Sequence, residues 1–196
     1  MIKKLRNALC LLICLSLLAL CGCNKQNTAT TGGADEPDIV YESTLTYSWF
    51  GIGNQNSIIK NSLNIDKMDS NSIEHLPILK FQSTEDLDYF TSNIFVSYTL
   101  DSAFNGVPSF NVATQKYNAE YFKENTLLLV SIPATSGSVR HFVKDVQIKD
   151  GNLCVSVDVN SPNAVTMDLV SWFILVSVDN KYIENVTSFD AVYLGA

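Results

Sequence analysis

Residues 153–159 alternate so that Leu153, Val155, Val157 and Val159 share one face, directly after Asp150-Gly151 and an outgoing strand over 139–149. A two-residue turn of this kind needs positive φ at both central positions, which Asp-Gly supplies. The stretch therefore commits the chain to antiparallel β-structure. Two continuous apolar runs, 127–132 (LLLVSI) and 172–178 (WFILVSV), lack that alternation. Such runs suit central strands covered on both faces, and the second is expected to be the last long strand.

The other elements are shorter. Residues 39–50 read as a strand, 51–56 as a turn and 57–65 as its return; 66–69 reads as a further turn, and 76–82 as a short strand. Ser83-Thr84-Glu85-Asp86 supplies a hydroxyl cap and first-turn acids for a helix carrying Leu87, Phe90 and Ile94 at helical spacing. Residues 109–125 suggest one or two short helices with Phe110, Tyr117, Tyr121 and Phe122 on the buried side. Residues 133–138 and 161–167 read as loops. The expected fold is α+β: a mainly antiparallel sheet, twisted or partly closed, with two or three short helices on one side.

The N-terminus carries an address. Lys3, Lys4 and Arg6 precede an apolar run over 8–20, too short for a permanent span, where about 20 residues are needed. Leu20-Cys21-Gly22-Cys23 closes the run and resembles the lipobox of bacterial lipoproteins. That resemblance implies diacylglycerol on the Cys23 thiol, palmitate-type acyl chains, cleavage before Cys23, and a protein held on the extracytoplasmic face of the cell membrane. A secretory leader cut at another small-residue site is the plainer alternative. Two or more acyl chains make a stable anchor. Residues 1–22 are thus expected to be the signal peptide, 23–38 the lipidated cysteine and a flexible polar tether, and 39–196 one globular domain.

Charge and cysteines narrow the functions. All 20 acids lie beyond the leader, as do ten of the 13 bases, so the mature chain carries a net charge of −10. Nucleic-acid binding needs phosphate-neutralising Lys and Arg, and no nucleic-acid partner is expected. Of five cysteines only Cys154 remains free after processing and acylation, so the mature domain holds no intrachain disulfide. A nucleophilic Cys154 would want a nearby His, and none is close in sequence.

Residues 121–179 combine Tyr121-Phe122 ending a helix, the strand LLLVSIPA, the loop Thr135-Ser136-Gly137-Ser138, the outgoing SVRHFVKDVQIKDG, the return NLCVSVDV and the closing WFILVSV. This pattern resembles the C-terminal domain of the PrcB-type protease-complex subunit. With the upstream PILKFQSTEDLDYF and PSFNVATQKYNAEYF pieces, the chain is similar to uncharacterised lipoproteins of Gram-positive bacteria. The family loop reads Thr-Gly-Gly-Tyr, whereas Ser136-Gly137-Ser138-Val139 stands here. The resemblance implies a non-enzymatic domain.

Ser136, Gly137, Ser138, Arg140 and His141 form the candidate ligand or partner loop, because backbone N–H groups, hydroxyls and a cation gather there. The plainer alternative is a glycine-permitted turn. A hydrolase would take Ser138 or Ser136 as nucleophile, His141 as base, and Asp145 or Asp168 as orienter, but no Gly-x-Ser-x-Gly elbow is present. His75 lacks obvious co-ligands, so no metal site and no cofactor is expected. The aromatic pairs Trp49-Phe50 and Trp172-Phe173 fit core filling better than an exposed stacking surface. These features favour a lipid-anchored extracytoplasmic binding or scaffold domain, attached to the membrane through Cys23 and open to an envelope protein partner. The Ser138/His141 hydrolase stands second, and a two-lobed solute-binding lipoprotein third.

Overall fold

The computed structural model describes residues 27–31, 39–50, 75–94 and 98–195. The leader, Cys23, residues 32–38, the turn at 51–56, the return strand at 57–65 and the turn at 66–69 lie outside the described residues.

The strands divide between two twisted, open sheets, giving an α+β fold. The larger sheet runs in the order β1 (Asn27–Thr31), β2 (Ile39–Phe50), β8 (Leu169–Asp179), β5 (Asn125–Ser136), β3 (Ile78–Phe81), all antiparallel. A short β4 (Tyr98–Thr99) pairs with the far end of β2. The smaller sheet is β6 (Arg140–Lys149), β7 (Asn152–Asn160) and β9 (Ser188–Tyr193), with β6 and β7 antiparallel and β7 and β9 parallel.

The larger sheet is the middle layer of three, which explains the continuous apolar runs. Leu128, Val130 and Ile132 of β5 and Trp172, Ile174, Val176 and Val178 of β8 pack toward the smaller sheet. There they meet Val143, Val146, Leu153, Val155, Val157 and Ala191. The alternate side chains, Leu127, Leu129, Phe173 and Leu175, face a cluster built from Phe81, Leu87, Phe90, Phe110, Tyr117 and Phe122. Trp172 and Phe173 thus fill opposite cores, at 0% and 1% exposure. Each such burial contributes about 1.5–3 kcal/mol.

Three short helices cover the second face, each started by a polar cap. Ser83 Oγ accepts from Asp86 N to open α1 (Thr84–Tyr89), which passes into a π-helical turn at Phe90–Ile94. Ser109 caps α2 (Phe110–Thr114), and Asn118 caps α3 (Ala119–Glu124) by accepting from Glu120 N and Tyr121 N. The two helices within 109–125 are those expected, with Phe110, Tyr117 and Phe122 buried.

The β6–β7 turn is as the sequence demands: Asp150 has φ 51° and Gly151 φ 75°, and Lys149 pairs with Asn152. Elsewhere the structure departs from expectation. β5 continues through the expected 133–138 loop as far as Ser136, its register shifting between Ile132 and Thr135. A bulge accommodates Pro133, which has no N–H to give the ladder. Residues 172–178 do lie in the last long strand, β8, but an unexpected one-turn α4 (Asn180–Ile183) and the short, six-residue β9 follow it. Five residues of the expected tether, Asn27–Thr31, form β1 on the edge of β2. Backbone hydrogen bonds recruit such an edge strand without large apolar side chains. Residues 75–77 tie the two sheets together, through Leu76 N to Ala191 O at 2.8 Å and Ser131 N to Pro77 O at 2.9 Å.

Candidate functional site

The end of the sandwich at which β5 turns into β6 and β7 turns into β8 gathers most of the candidate loop. Gly137 sits where a β-carbon would collide with the Asp168 carboxylate and the Phe104 ring, so this close approach requires glycine. Gly137 N donates to Asp168 Oδ1 at 3.2 Å. Ser136 Oγ lies 2.8 Å from both Ser138 Oγ and Thr166 Oγ1, and Thr166 N donates to Ser138 Oγ at 3.0 Å. The 136–138 turn is thereby stitched to residues 166–168. The hydrogen bond from Thr166 holds the Asp168 carboxyl below the usual carboxylate range, helped by Gly137 N–H and the Arg140 charge.

Arg140 and His141, which follow this turn, pack on different aromatic rings. The Arg140 guanidinium lies over the Trp172 ring, 4.9 Å from its centroid, and donates to the carbonyls of Gly137 and Val139. His141 points into the sandwich at 2% exposure, its ring 5.8 Å from that of Tyr193. Burial, and secondarily the neighbouring Arg140 charge, push its pKa down to about 4. The imidazole is therefore neutral at physiological pH and a weak base. Ser138 Oγ is engaged with Ser136 and Thr166, Asp168 with Gly137, and Asp145 Oδ2 accepts from Gln147.

Cys154 lies on the outer face of the smaller sheet, level with Gln147 on one side and Asp190 on the other. Its half-buried thiol is pushed up by burial and by the charges of Asp190 and Asp145. Asp190 Oδ1 is 3.0 Å from Nδ1 of the exposed His75. Among the described residues no group of three or more His, Cys, Asp or Glu side chains is placed to hold a metal ion.

Sequence reasoning passed over the loop between β7 and β8. Residues 161–167 are all exposed, Met167 at 99% and Val165 at 57%. Two large apolar side chains, Val165 and Met167, in a segment too polar to be a strand are the only signal the sequence offers, and it is weak. A groove of about 400 Å³ also opens between α1 and α2, lined by Thr84, Asp88, Thr91, Asn111, Thr114 and Gln115.

Compared with protein-family models, with curated proteins and with solved structures, the chain finds no match in any of the three.

Proposed function

We propose that this chain is a lipoprotein acylated on Cys23 and held on the extracytoplasmic face of the cell membrane, where its domain serves as a binding or scaffold module. The observation that carries this reading is Leu20-Cys21-Gly22-Cys23 at the end of a short apolar run behind Lys3, Lys4 and Arg6. The resemblance of residues 121–179 to the PrcB-type domain supports a non-enzymatic role. So does the use of the Ser136 and Ser138 hydroxyls in bracing a neighbouring loop. The net charge of −10 left by ten bases against 20 acids favours a protein partner in the envelope over nucleic acid. The groove between α1 and α2, lined by Leu87, Leu100 and Tyr117 as well as by polar side chains, is a concave surface open to such a partner.

A clickable fatty-acid probe should label the wild-type chain, fractionating with membranes, and leave Cys23→Ser unlabelled. An unlabelled wild-type chain in the cytosol sinks the proposal. A photo-crosslinker at Gln115 should give a discrete envelope adduct, and one at Lys149 should not.

A further inference from the structure

Four of the large apolar side chains left exposed, Phe142, Val165, Met167 and Leu194, belong to one end of the sandwich. Strand directions fix this. The end holds the C-termini of β5 and β7 and the N-termini of β6 and β8, joined by the 137–139 turn and the 161–168 loop. β9 brings Tyr193 and Leu194 there because it runs parallel to β7. β2, antiparallel to β8, ends there too.

The N-terminal end of β1 points to the same end. β1 is antiparallel to β2, with Thr31 opposite Ile39 and Asn27 opposite Ser43, so the N-terminal end of β1 points toward the far end of β2. Only four peptide links separate Cys23 from Asn27, about 14 Å at full extension. Ser43 is level with Val176, and β8 extends six residues further to Val170, about 20 Å. A cysteine on that leash cannot reach past the loops. With the strands pointing at the bilayer, the loops lie as deep as the acylated residue, or deeper.

We infer that this end of the sandwich is a membrane-contacting surface, with Met167 and Val165 seated in the headgroup–acyl boundary of the bilayer that holds the Cys23 acyl chains. This role rests on the acylation proposed above. The chemistry of the loop fits it. The outermost residues, 161–167 (SPNAVTM), carry no charge in a strongly acidic chain, and the Asp168 carboxylate at the base of the loop is engaged by Gly137 N and lies near the Arg140 charge. The stitches from Ser136, Gly137 and Ser138 to Thr166 and Asp168 order the loop beforehand, so insertion spends little conformational entropy. Phe142 and Leu194, also exposed, lie two or three residues back from this end, opposite Asp158 and bonded to Val157.

The test uses the acylated full-length product in vesicles of phosphatidylglycerol and phosphatidylethanolamine, with Cys154→Ser removing the free thiol. Spin labels are attached at Val165→Cys, Met167→Cys and, at the opposite end, Lys149→Cys. The labels at 165 and 167 should show raised oxygen access and reduced access to a water-soluble nickel chelate, and the label at 149 should remain aqueous. Met167→Asp should speed transfer of the acylated protein between vesicles about tenfold, the effect of losing one buried apolar side chain. Aqueous behaviour at all three positions in a protein whose Cys23 is demonstrably acylated overturns the membrane contact and leaves the anchor standing. Protection at 167 in native envelopes but not in protein-free vesicles also overturns it, in favour of a protein partner. Failure of acylation instead strikes the reading beneath it.

Discussion

His141 is held neutral inside the sandwich, and that has a price in acid. Its folded pKa, about 4, lies below the ordinary histidine value of 6.5, so the unfolded chain binds the extra proton more readily. Stability from this group is complete above pH 6.5 and is lost as the pH falls toward 4, by about 2 kcal/mol between pH 7 and pH 5. Urea titrations across that range should show the loss in the wild type and a flatter profile in His141→Gln. A wild-type profile as flat as the variant's refutes the buried neutral imidazole. The depressed carboxyls of Asp158, Asp168 and Asp179 act lower, below the usual carboxylate range. The sequence marked His141 as a candidate but could not say which way it faces. Counting alternation back from Val146 would turn it outward, and the register shift between Val143 and Asp145 reverses the phase and turns it in.

Elements that signal themselves locally were legible, and those defined only by a distant neighbour were not. The Asp150-Gly151 turn, the capped helices and the two apolar runs each carry their cause within a few residues. β1 and β9 do not. Asn27–Thr31 is polar and becomes a strand by pairing with β2, while Ser188–Tyr193 buries only Ala191 fully and takes its place from a parallel partner some 36 residues earlier, Ser188 opposite Asn152. The candidate loop was legible as a cluster of polar groups, but its role was not. Whether hydroxyls face a ligand or another loop depends on contacts 28 to 31 residues away. Gly137→Ala tests the brace. Its methyl group would displace Asp168 or Phe104, lowering stability by about 1–3 kcal/mol. Amide exchange at Thr166, whose N–H bonds to Ser138, should rise well beyond the global effect. Unchanged protection at Thr166 would show that the loop holds its shape without the turn.

At the scale of the molecule, β5 and β8 serve two cores at once. Ile174 faces the smaller sheet while Leu175, its neighbour, faces the helices. The layers should therefore unfold together. Leu175→Ala and Ile174→Ala should each cost about 2–5 kcal/mol, with near-ultraviolet signals from the Trp172 core and far-ultraviolet signals from the helices still coinciding. Separate transitions would mean that the helical layer melts on its own. The parallel pairing of β9 with β7 also sets a timetable. A ribosome makes the β6–β7 hairpin well before Ser188, and no tight turn can deliver a parallel partner early, so one flank of the hairpin stays bare through that interval. An uncovered strand edge is a template for other chains. The chain is thus most prone to clumping in the interval before Ser188–Tyr193 pairs, and clipping it ahead of Ser188 would make that vulnerability permanent.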